Sequence, residues 1–71
     1  MLDDLPPFLT VEQAGKLLQL GRSKAYELTV EWDRSGGTTG IPFVWFGNQK
    51  RIPRDALARY VEAQLARPPA A

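Results

Sequence analysis

The chain has 71 residues, enough for one small core, and its 44% hydrophobic content is ordinary for a globular domain. It carries no cysteine and no histidine, which excludes disulfides, thiolate zinc sites and imidazole ligands, so neither a metal nor a cofactor is expected. Nine Lys and Arg against eight Asp and Glu leave a net charge of +1, a sum that does not by itself announce a nucleic-acid partner.

Residues 1–8 read as a flexible leader, because Pro6 and Pro7 oppose a helix, with Leu5 or Phe8 available as an anchor on the core. Thr10 then opens a helix expected over Val11–Gln19. Gln13 stands three residues beyond it, as in a capping box, and Val11, Ala14, Leu17 and Leu18 form the apolar face. Leu20 and Gly21 break the helix, with Gly21 either adopting a conformation other residues resist or serving as a permissive N-cap. A second helix starts near Arg22, with Ala25, Leu28 and Trp32 as its buried stripe. Two short helices across so tight a turn suggest a helix-turn-helix.

Residues 33–40 (DRSGGTTG) read as a loop of the length that is often mobile or functional. Phe43–Phe46 reads as a strand, Gly47-Asn48 as a two-residue hairpin turn, and Lys50–Ile52 as the return strand. Pro53 suits the first turn of a last helix whose stripe is Leu57, Tyr60, Val61 and Leu65, and Arg67-Pro68-Pro69 stops it. The expected fold is mainly α with a small β-hairpin, a winged helix-turn-helix. Residues 9–66 form the domain and residues 67–71 a frayed tail. The longest apolar run, Ile41–Phe46, contains a proline and falls far short of the roughly 20 residues that span a bilayer. Asp3 and Asp4 stand where a secretory signal would be basic, so a cytoplasmic location is expected.

Two stretches, LTVEQAGKLLQLGRSKAYEL (Leu9–Leu28) and IPFVWFGNQKRIPRDALARYV (Ile41–Val61), together resemble the excisionase-type DNA-binding domains of the MerR-like superfamily. Arg22-Ser23, Tyr26, Ile41-Pro42, Gly47 and Arg51-Ile52-Pro53-Arg54 match the family pattern in order. Three departures stand out. The family's Gly-Val-Ser turn is Gln19-Leu20-Gly21 here. Lys24 stands where a threonine is common. The link to the wing, Thr29–Gly40, is long, so either the second helix runs on through Trp32 or the wing sits differently. The resemblance implies a bacterial or phage-encoded recombination directionality factor. Such a protein is without catalytic residues, bends double-stranded DNA, binds cooperatively with further copies of itself and assists an integrase in excision. A small transcription regulator on the same fold is the alternative, and a protein-binding adaptor a third reading.

The candidate DNA contacts follow from charge and position. The cations gather at Arg22 and Lys24, and again at Lys50, Arg51 and Arg54. Arg22, Ser23 and Lys24 open the helix that would meet base edges in the major groove, where Arg forks onto guanine. Tyr26 either packs its ring in the core or points its hydroxyl at phosphate. Glu27 accepts a hydrogen bond from a base or pairs with a cation. Asn48, Gln49 and Lys50 form the wing tip, suited to backbone or minor groove. Arg51 and Arg54 flank it and resemble the family's phosphate-contacting positions, the alternative for Arg51 being an ion pair with Asp55 or Glu27. About four to six phosphate contacts would give a log–log salt slope near −4 to −5. The aromatic cluster of Trp32, Phe43, Trp45 and Phe46 is either core or, on one strand face, a protein contact. Catalysis has no support: Gly36-Gly37 lacks the context of a nucleotide loop, and the carboxylates are scattered.

Overall fold

A computed structural model describes residues 4–66 of the chain. Its elements in order are β1 (Phe8–Leu9), α1 (Val11–Leu17), α2 (Arg22–Arg34), β2 (Val44–Phe46), β3 (Gln49–Pro53) and α3 (Arg54–Ala66). The fold is mainly helical with a small antiparallel sheet, a winged helix-turn-helix. The expected tail at 67–71 and the first three leader residues lie outside the described residues.

The capping box at Thr10 is present: Thr10 Oγ1 accepts the Gln13 N–H at 3.0 Å, and Gln13 Oε1 accepts the Thr10 N–H at 2.9 Å. Helix α1 stops at Leu17, two residues before the expected Gln19. The Leu20 N–H bonds the Gly15 carbonyl at 2.8 Å and the Gln19 N–H bonds the Lys16 carbonyl at 3.1 Å, which is a Schellman closure. A helix ending at Leu17 puts the left-handed position on residue 19, and Gln19 takes it with φ 58°. Gly21 is therefore the N-cap of α2, at φ −65°, the second of its two expected roles. Beyond the turn the helices nearly touch: a Cβ on Gly15 would lie 3.0 Å from that of Ala25.

Helix α2 runs unbroken to Arg34, which settles the long link in favour of an extended helix. The loop after it is organised. Ser35 Oγ accepts the N–H groups of Thr38 and Thr39 at 3.1 and 3.0 Å. The Gly37 N–H returns to the Trp32 carbonyl, and the Ile41 N–H to that of Leu28, both at 3.0 Å. Gly40 makes this return possible. Its φ is +93°, and a Cβ there would run into the backbone of α2 at Leu28 and Trp32.

Strands β2 and β3 pair as Val44↔Arg51, Trp45↔Lys50 and Phe46↔Gln49. The turn between them has Gly47 at φ 66°, the sign that a two-residue hairpin needs at its first position. The sheet has a third strand that the sequence did not announce. β1 covers the open edge of β3 through Phe8↔Pro53 and Leu9↔Ile52, giving the order β1-β3-β2. The Arg54 N–H also bonds the Pro7 carbonyl at 2.8 Å, and Leu5 packs on the core. The later part of the expected leader is thus tied to the domain, because the edge of β3 offers backbone groups that need partners.

The core consists of Leu9, Val11, Ala14, Ala25, Ile41, Phe43, Ile52 and Leu57, with Leu18, Leu20, Leu28, Trp32 and Tyr60 packed around it. Some expected core positions fall outside. Leu17 is exposed on α1, and Leu65 is 82% exposed on the last turn of α3, a turn that has run past the small core. Of the aromatics expected in the first wing strand only Phe43 is buried, and it lies just before β2, while Trp45 and Phe46 are each 54% exposed. Pro53 closes β3 rather than opening α3.

Candidate nucleic-acid interface

The first turn of α2 presents Arg22, Ser23 and Lys24, all exposed. Arg22 Nη2 lies 3.4 Å from Glu12 Oε1 on α1, and its guanidinium stands 5.9 Å from the centre of the Tyr26 ring. Both carboxylate and guanidinium remain open to solvent, so the pair positions Arg22 more than it stabilises the fold. Tyr26 is not packed in the core: the residue is 38% exposed, and its ring lies beneath the Arg22 guanidinium and near the Lys50 ammonium. Lys24 and Glu27 are exposed, and among the described residues neither has an ion-pair partner.

The wing approaches the same ring. Lys50 Nζ stands 6.0 Å from the Tyr26 ring centre, 4.8 Å from that of Phe43 and 5.6 Å from that of Trp45. It also donates to Thr29 Oγ1 on α2 at 2.9 Å. Arg51 Nη1 donates to the Lys50 carbonyl at 2.8 Å and Nη2 to Gln49 Oε1 at 2.6 Å. Neither ion pair considered for Arg51, with Asp55 or with Glu27, forms among the described residues. Asn48 and Gln49 sit exposed at the tip.

Between α1, α2 and the wing lies an open cleft of about 480 Å³, lined by Thr10, Val11, Glu12, Tyr26, Trp45, Asn48, Gln49, Lys50 and Arg51. The structure therefore brings Tyr26, Asn48, Gln49, Lys50 and Arg51 to one place, with Arg22 at its edge over Tyr26. Ser23, Lys24 and Glu27 lie along α2 outside that lining. Arg54 stands apart. Its Nη1 donates to the Leu5 carbonyl at 2.9 Å, and its Nε lies 3.3 Å from Asp55 Oδ1, so its head group braces the N-terminal segment. Sequence reasoning missed Glu12, Trp45 and Thr29 at this site. Thr29 was within reach, since it follows Ala25 by one turn and so falls on the buried stripe; nothing in the sequence pairs Glu12 with Arg22.

Among the described residues no group of His, Cys, Asp and Glu is placed to hold a metal ion, and no helix is long and apolar enough to cross a membrane. The arrangement sets a helix start and a wing tip, both with cations, on either side of one cleft. The profile of the helix-turn-helix domain family matches residues 8–65. The chain belongs to that family. In DNA-binding proteins of this architecture the second helix is the recognition helix, and α2 is its counterpart here. The chain is also 40% identical over 63 residues to a protein of Saccharopolyspora erythraea named Probable excisionase, a match covering 89% of this chain and 57% of that relative. The chain thus spans little more than half the length of the curated relative that it matches. No solved structure matches the chain at a significant level.

Proposed function

We propose that this domain binds double-stranded DNA through the start of α2 and the wing tip, and that it acts as an excisionase-like recombination directionality factor. In this reading it performs no chemistry of its own. It bends DNA beside a recombination site, binds there with further copies of itself and helps an integrase complete excision. The observation that carries the DNA-binding surface is the convergence on Tyr26, where Arg22 of α2 and Lys50 of the wing stand over one ring. The likeness to a protein named as an excisionase supports the recombination role.

Arg22, Ser23 and Lys24 meet base edges and phosphates in the major groove, with Glu27 further along the same helix. Asn48, Gln49 and Arg51 reach the flanking backbone or minor groove. With the head groups of Lys50 and Arg54 engaged by protein groups, three of the five candidate cations remain for phosphate: Arg22, Lys24 and Arg51. At about −0.9 per neutralised phosphate, the salt slope should lie near −2.7, shallower than the sequence suggests.

The test is a fluorescence anisotropy titration against labelled duplexes selected from a random pool, repeated across salt concentrations. R22A/K24A should abolish specific binding while leaving the circular dichroism spectrum unchanged. A wild-type response independent of salt would overturn the DNA reading. A footprint of repeated sites beside a recombination core, with stimulated excision by the cognate integrase, supports the directionality role. A single promoter operator would replace that role with transcription control.

A further inference from the structure

We propose that Lys50 is a positioning residue of the wing, not a phosphate ligand, and that the Lys50–Thr29 contact sets the angle between wing and recognition helix. This inference rests on the DNA-binding reading of the cleft.

The alternation of β3 carries the argument. Opposite residues of an antiparallel pair share a face, so Lys50 lies on the face of its partner Trp45, and the Phe43 ring just before β2 adjoins it. That face turns toward α2. Gln49 and Arg51 take the other face, where the Arg51 guanidinium bonds Gln49 Oε1. Of the cations adjacent on this strand, one is directed inward and one outward.

The inward one is well held. Thr29 is fully buried, and its hydroxyl proton goes to the Tyr26 carbonyl at 2.7 Å. The hydroxyl oxygen therefore turns its lone pairs to Lys50 Nζ, which donates at 2.9 Å. The ammonium also lies within about 6 Å of three ring centres, the range in which a ring face attracts a cation. One of the three N–H groups is committed to Thr29 and the rings hold the head group turned inward, so full engagement with a phosphate would cost these contacts. Because Thr29 sits in the middle of α2 and Lys50 next to the wing tip, the contact spans 21 residues of sequence and joins the two elements that meet DNA.

The test compares K50M, T29V, their double variant and K50R. In anisotropy titrations across salt, K50M and T29V should each weaken specific binding several-fold while keeping the wild-type salt slope. The double variant should bind no more weakly than K50M, and K50R should recover much of the loss. A slope shallower by about 0.9 in K50M, with T29V binding like the wild type, would identify Lys50 as a phosphate ligand and overturn the proposal. Thermal melting of the same four proteins tests the contact without DNA. Coupled shifts in melting temperature support it, and strictly additive shifts overturn it. Should the wild type fail to bind any duplex, the DNA reading fails, and the melting cycle still decides whether Lys50 holds the wing.

Discussion

Replacing Gly40 by alanine should cost this domain about half its stability. An alanine at φ +93° carries the penalty of a left-handed backbone, about 1–2 kcal/mol. Its Cβ would also sit 2.6 Å from the Trp32 nitrogen and closer still to the Leu28 carbonyl oxygen. Both are backbone atoms of α2 and have little room to yield. Relief requires the loop to lift, which breaks the Ile41 N–H bond to Leu28 and leaves a buried donor unpaired, at a cost of about 1–3 kcal/mol. The sum is about 2–5 kcal/mol. At roughly 0.05–0.15 kcal/mol per residue, the 71-residue chain has only about 4–10 kcal/mol to lose. Urea denaturation followed by circular dichroism measures the change. Gly36 is the control: its φ is +69°, but a Cβ there meets open space, so G36A should lose only about 1 kcal/mol. If G40A unfolds within 1 kcal/mol of G36A, the loop is not held against α2 as described.

Three further outcomes are expected. T10A removes the hydroxyl half of the capping box, leaving only the backbone N–H bond to Gln13 Oε1, and should lower stability by about 1 kcal/mol in the same assay. Q19G relieves the left-handed strain at the end of α1 and should raise the melting temperature, by an amount equivalent to at most about 1 kcal/mol. E12Q frees Arg22 from its carboxylate partner and removes a negative charge from the edge of the cleft. Binding to the selected duplex should tighten several-fold, with stability changed by no more than about 0.5 kcal/mol because the pair is solvent-exposed.

Much of this fold is legible in the chain because its signals are local. The capping box of Thr10 and Gln13, the Gly47-Asn48 turn and the start of α2 at Arg22 each depend on residues within one turn of one another. What escapes is set by distance. The pairing of Phe8 and Leu9 with Pro53 and Ile52 joins opposite ends of the sequence, and two residues are too few to show an alternating pattern. Leu65 continues the helical period of α3, yet periodicity cannot say where a small core stops. The candidate site divides in the same way. Clustering of basic residues marks Arg22, Lys50, Arg51 and Arg54, but the sequence says nothing of what each head group touches.

That last point bears on how a domain with a net charge of +1 meets DNA. Lacking cysteine and histidine, the chain cannot tie distant segments by a disulfide or by thiolate- or imidazole-held metal, and among the described residues two of its cations join such segments. Lys50 reaches Thr29 across 21 positions, and Arg54 reaches the Leu5 carbonyl across 49. Both contacts start from the neighbourhood of β3, one running to the recognition helix and the other to the N-terminal segment that feeds β1. The cations nearest the wing therefore divide between fixing its position and facing solvent. If Lys50 sets the wing angle, its loss should act through the geometry of the remaining contacts rather than through the count of phosphates neutralised. Affinity and salt slope, which move together when a phosphate ligand is removed, should then come apart in K50M and stay together in R51A.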